Sequence, residues 1–228
     1  MPPPLHNEGA KVQADWLHDF LMDPTLIRPA VVLRMPNFGM STDEASKLVN
    51  YFAAKSNAEF PYEYNERRRK SHMTAQEQGH PAVLTDAMKI VTNGNYCVKC
   101  HNVGDFQVKG APRAMAPNLD QVYRRLRSDY VRFWIGNPQR VLPYTGMPVN
   151  IPFDPNPPHF GGVAQDLFPG PSISQLDGVV DLLMNFDEYT RRQTSVKGLV
   201  KEPAAGGQPP AANPPAPAAP PGNRSASN

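Results

Sequence analysis

The sequence predicts an all-α fold, and three observations lead there. Counted from Ser41 and again from Ser172, apolar residues recur at the fourth, seventh, eighth and eleventh positions. They are Ala45, Leu48, Val49 and Phe52 in one stretch, and Leu176, Val179, Val180 and Leu183 in the other. That spacing sets each group on one face of a helix. Each stretch opens on a serine with Glu44 or Gln175 three residues later, the pattern of a capping box, in which the two side chains satisfy free N–H groups of the first turn. A third apolar segment, Ala82 to Val91, reads as a further helix.

Bulk composition bounds the rest. The 228 residues allow one large domain or two small ones. Lys and Arg number 23 against 21 Asp and Glu, so charge singles out no class of partner and nothing points to nucleic acid. Many of the 27 prolines lie in the last stretch, from about Glu202 to Asn228, where Pro, Ala, Gly, Asn and Ser dominate. Such a stretch cannot bury enough apolar surface to offset its ordering entropy, so residues 191–228 read as a linker and disordered tail. No run of 18 apolar residues exists to span a membrane.

Only two cysteines occur, in Cys97-Val98-Lys99-Cys100-His101. Cys-x-x-Cys-His is the attachment signature of haem c: each thiol adds to a vinyl group and the histidine is held under the iron. A redox dithiol and half of a zinc site are the other readings. The first expects a strand before the motif and a helix after it, within a βαβ unit. The second needs two more ligands, and no further cysteine exists. Haem is therefore the reading that the pentapeptide favours.

The chain beyond His101 carries a resemblance. Ala116-Pro117-Asn118-Leu119 comes first, then Leu126 to Ile135, Asn137-Pro138, and Pro143-Tyr144-Thr145-Gly146-Met147-Pro148. Over residues 81–190 this order resembles class I cytochrome c domains. The resemblance implies one haem c per chain, linked through Cys97 and Cys100, with His101 as proximal and Met147 as distal iron ligand. It also implies that the carbonyl of Pro117 accepts the other ring N–H of His101, fixing the ring. The family's glycine before that proline is Ala116 here. A helix of roughly Ser128 to Gly136 is expected beside the haem, containing Phe133 and Trp134. Among other candidates, Met115 lies too close to His101 to wrap over a haem. Met184 shares the helical spacing of Leu176, Val179, Val180 and Leu183 and reads as core. His159 would give a bis-histidine iron.

An internal repeat extends the picture. At an offset of 114, Asp15-Trp16-Leu17 falls on Asp129-Tyr130-Val131, Phe20-Leu21 on Trp134-Ile135, and Pro24 on Pro138. Pro3 and Leu5 fall on Pro117 and Leu119, and Arg34-Met35-Pro36 matches Gly146-Met147-Pro148 at 112. Residues 1–55 thus read as the C-terminal part of a second cytochrome c-like domain lacking its Cys-x-x-Cys-His, which is expected upstream of Met1 together with an export signal. A degenerate half-domain is the other reading. Residues 56–80 read as a polar linker. Its run Arg67-Arg68-Arg69-Lys70 is taken as a solvated face rather than a dock for an acidic partner or lipid. Residues 149–171 form a Pro- and Gly-rich insertion that the first repeat lacks.

The expected function is electron transfer, with a redox protein as donor and another as acceptor, in a diheme cytochrome or the cytochrome subunit of a membrane-bound respiratory complex. Haem c attachment implies the periplasm or the outer face of the cytoplasmic membrane. Residues 81–150 hold nine Lys and Arg against four acids, and residues 151–188 hold six acids and no base, so a basic haem edge would attract an acidic partner. The alternative is a haem enzyme with an open distal site, peroxidase-like in chemistry.

Overall fold

The computed structural model describes residue 5 and residues 7–31, 34–109, 114–152, 161–190 and 196–201. The fold is all-α. Its helices are α1 (Glu8–Lys11), α2 (Ala14–Met22), α3 (Thr42–Lys55), α4 (Lys70–Gly79), α5 (Val83–Val91), α6 (Val122–Arg125), α7 (Ser128–Gly136), α8 (Pro138–Val141), α9 (Ser172–Met184) and α10 (Phe186–Thr190). No helix among the described residues is long and apolar enough to cross a membrane.

Helix α9 is the centre. Leu176, Val179, Val180, Leu182, Leu183 and Met184 are all buried, as their spacing requires, and Met184 takes the core place expected of it. Helix α5 packs along α9 and turns Val83, Ala87, Ile90 and Val91 inward, while α7 packs against another part of it. The helix expected near Ser128–Gly136 is α7. In the first repeat α3 receives α1 and α2. Gly9 permits this closeness, because a Cβ there would overlap the Phe52 carbonyl.

The repeat is visible in the backbone. Advanced by 114 positions, α1 becomes α6 and α2 becomes α7, at both ends. Trp16 stacks on Phe20 at 4.9 Å and 15°, and Tyr130 stacks on Trp134 at 6.0 Å and 17°. The two repeats also face each other through matching residues. Val12 and Leu126 form an antiparallel bridge. Gln13 N–H donates to the Arg125 carbonyl at 3.0 Å, and Arg127 N–H donates to the Lys11 carbonyl at 3.0 Å. Their side chains repeat the exchange: Gln13 Nε2 donates to the Leu126 carbonyl and Arg127 Nε to the Val12 carbonyl, both at 2.9 Å. Each half contributes the same surface to the junction, as in an isologous dimer interface. Pro3 lies outside the described residues.

Three sequence expectations need correction. The basic run is a solvated linker only in part: Arg69 and Lys70 are exposed, but its first two arginines are paired. Arg67 pairs with Asp177 (2.8 Å) and Asp181 (2.7 Å), Arg68 with Asp187 (3.0 Å), and His72 Nε2 lies 3.0 Å from Asp181. Asp177, Asp181 and Asp187 are thus met from within the chain, and α4 with its preceding 3₁₀ turn lies against α9. At Asp177 burial works to raise the carboxyl, but Arg132 and Arg67 hold it below the ordinary range; at Asp181 burial prevails and the carboxyl is raised. The second capping box is also absent. Ser41 and Glu44 form theirs, whereas Ser172 is itself the first helical residue, Pro171 stands at the cap, and Gln175 is fully buried. Finally, the expected linker before the tail is held down at residues 196–201: Lys201 exchanges backbone hydrogen bonds with Thr92 and Gly94, and Val196 N–H donates to Asp105. Residues 202–228 lie outside the described residues.

Candidate functional site

The motif comes after α5 as a 3₁₀ turn, Cys97–Lys99. The N–H groups of Cys100 and His101 both donate to the Cys97 carbonyl, at 3.1 and 2.9 Å, so both sulfurs and the imidazole leave one tight turn. Val98 is buried beneath it. The segment after the motif is then tied to the Ala116–Leu119 stretch. Ala116 N–H donates to the Cys100 carbonyl at 2.8 Å, and Leu119 N–H to the Asn102 carbonyl at 2.9 Å. This brings Pro117 to His101, whose Nδ1 lies 2.6 Å from the Pro117 carbonyl.

That contact decides the chemistry of the ring. A carbonyl only accepts, so Nδ1 carries the hydrogen. Burial, aided by the charge of Arg125 and opposed by the bond to Pro117, keeps the imidazole below its ordinary pKa. His101 is therefore a neutral ring with its lone pair on Nε2, the form that binds a metal.

Cys97 and Cys100 are both free and partly exposed as residues. Desolvation pushes the Cys97 thiol up to about 12. The attacking thiol of a redox dithiol needs a lowered pKa, and burial acts against that at Cys97. Among the described residues no three His, Cys, Asp or Glu side chains are grouped to hold a metal ion.

Met147 is itself half-buried and sits in a separate loop in which Pro143, Tyr144, Gly146, Pro148 and Val149 are exposed. Its N–H donates to Thr145 Oγ1 at 3.3 Å, and its carbonyl accepts from Gln139 Nε2 at 2.9 Å. His159, the alternative ligand, lies outside the described residues.

In comparisons with known proteins, no family model, no curated relative and no solved structure matches this chain. The site must be read from its own chemistry.

One residue escaped the sequence reading. Arg125 Nε is buried with no partner among the described residues. Desolvation first, then the nearby charge of Arg28, lowers its guanidinium to about 10. The guanidinium lies over the Trp16 ring, 6.0 Å from its centroid, and its charge also acts on His101. The signal lay in helical spacing: Arg125 follows Val122 by three and precedes Leu126, both buried, so it belongs to the inward face while Arg124 does not. Two thiols, a neutral imidazole with an available Nε2 and a half-buried guanidinium whose Nε has no hydrogen-bond partner among the described residues fit a covalently held haem. They would provide two thioether positions, an iron ligand and a counter-charge for a haem carboxylate.

Proposed function

We propose that this chain is an electron carrier of the class I cytochrome c type, holding one haem c through Cys97 and Cys100, with His101 and Met147 as axial ligands. The observation that carries this reading is the 2.6 Å contact between His101 Nδ1 and the Pro117 carbonyl, which leaves Nε2 as the only free donor of the ring. When bound, haem c would supply a one-electron Fe(III)/Fe(II) couple. Cys97 and Cys100 would hold it to the turn, His101 would present Nε2, and Arg125 would balance a carboxylate that otherwise costs several kcal/mol, on the order of the penalty for an unpaired buried ion. The thioether of Met147 would favour the reduced state and a potential above that of bis-histidine ligation.

The first repeat is proposed as the C-terminal part of a second such domain. The setting is the periplasm or the outer face of the cytoplasmic membrane. Partners are a redox donor and acceptor, in a diheme cytochrome or a membrane-bound respiratory complex.

The ligand assignment is tested with Met147→Ala in protein carrying haem. The haem should remain attached. The weak long-wavelength band of sulfur-ligated ferric haem should vanish, the potential should fall, and carbon monoxide should bind. Wild-type protein that already binds carbon monoxide, or a spectrum altered by His159→Ala but not by Met147→Ala, would overturn the assignment and favour an open or bis-histidine iron.

A further inference from the structure

The two repeats part company between the Met-Pro pair and the closing helix. Ser41 follows Met35 by six positions, whereas Ser172 follows Met147 by 25. In the short connection Glu44 caps α3 together with Ser41. Gln175 occupies the matching place in α9 and does something else. Its Oε1 accepts from Val163 N–H at 2.8 Å, and its Nε2 reaches the carbonyls of Val163 (3.0 Å), Phe168 (3.0 Å) and Gly170 (3.4 Å). A fully buried amide thus has both its ends engaged by one loop.

The loop is shaped to that amide. Gly162 has φ +97°, and a Cβ there would overlap Gln175 Oε1, so only glycine passes over the side chain without strain. Gln165 closes the turn, donating to the Gly170 carbonyl and accepting its N–H at 2.9 and 2.8 Å. Phe168 is buried against Gly178 of α9 and meets the His80 ring at 4.7 Å. The clasp also reaches the Met147 side of the insertion. Gly161 lies against Pro152, since a Cβ on it would stand 2.9 Å from Pro152 Cγ, and Ile151 beside Pro152 is buried. Between Met147 and this anchored pair stand only three residues.

We propose that Gln175 is a positioning residue for Met147: through Val163, Gly162, Gly161 and Pro152 it holds the loop that presents the methionine to the iron. This rests on the proposed ligation by Met147. A thioether is a neutral ligand, so its hold depends on how little ordering the loop must undergo to present it. A 25-position connection costs more to order than a six-position one, and the buried amide offsets that cost.

The test uses haem-loaded wild type, Gln175→Leu, Gln175→Glu and the matching first-repeat change Glu44→Gln. The readout is the pH at which the Met-ligation band is lost on alkaline titration. Gln175→Leu should keep its haem and helix content and lose the band at lower pH, by about one unit, the size expected for one net hydrogen bond. Gln175→Glu keeps the acceptor for Val163 N–H and loses the donor to the three carbonyls, so it should shift in the same direction; it carries the test if the leucine variant does not fold. Glu44→Gln should shift nothing. Folded Gln175 variants titrating like wild type would overturn the positioning role and leave the haem reading standing. A band already absent from wild type would overturn both.

Discussion

Leu48 and Tyr51 on α3 occupy the places of Val179 and Leu182 on α9, yet the first pair is 36% and 56% exposed and the second 2% and 0%. The helices have the same spacing of apolar residues and nearly the same length. Cover makes the difference. Helix α9 is enclosed by α5, α7 and the insertion, and the Arg67–Arg68 turn lies on it; among the described residues α3 packs chiefly against α1 and α2. Likewise Leu5 is 63% exposed where its counterpart Leu119 is 8%. A helical face in the sequence therefore states which side is inward, while distant segments determine how completely it is buried.

The largest expected contrast is at these helices. Leu182→Ala should cost about 2–5 kcal/mol through lost burial and a residual cavity, whereas Tyr51→Ala should stay within about 0.5 kcal/mol, as exposed positions do. Equal losses in urea denaturation would mean that α3 is covered as α9 is. The junction offers a second contrast between matching residues. Arg127→Ala removes the bonds to the Val12 and Glu59 carbonyls and strands Glu63, whose carboxyl burial already raises; roughly 3 kcal/mol is expected. Gln13→Ala removes neutral hydrogen bonds alone and should cost about 1 kcal/mol. Similar costs would show that the two sides of the junction are energetically alike.

A smaller effect separates the helices by pH. Asp177 is held below the ordinary carboxylate range in the folded chain. Its contribution is therefore full above that range and declines as pH falls through the depressed value. Asp177→Asn should flatten the acid side of the stability profile. The α3 counterpart is Ser46, and Ser46→Ala should leave the profile unchanged. An unaltered acid limb in the Asp177 variant would mean that the pair with Arg67 and Arg132 is not formed in solution.

Much of this was legible in the residues. The apolar spacing located α3 and α9, and the 114-residue offset alone placed α1–α2 over α6–α7. What escaped was long-range pairing. The basic run and the acids at Asp177, Asp181 and Asp187 are both plain in the sequence, but nothing local says that they meet across 110 or more positions. Gln175 has the spacing of a cap, and only the position of Val163 and Phe168 turns it into a clasp. Arg125 resembles its exposed neighbour Arg124 until burial on the face of Val122 and Leu126 tells them apart. Val196 and Lys201 border a composition typical of disorder, yet single backbone contacts to Asp105, Thr92 and Gly94 hold them.

We propose covalent attachment of one haem at the turn whose geometry fixes His101. Intact-mass measurement and peptide mapping of the chain made in a host that attaches haem c test it most directly. One haem per polypeptide is expected, on the peptide containing Cys97 and Cys100, with no free thiol remaining. A folded chain from that host carrying both thiols unmodified, or joined to each other as a disulfide, would contradict it.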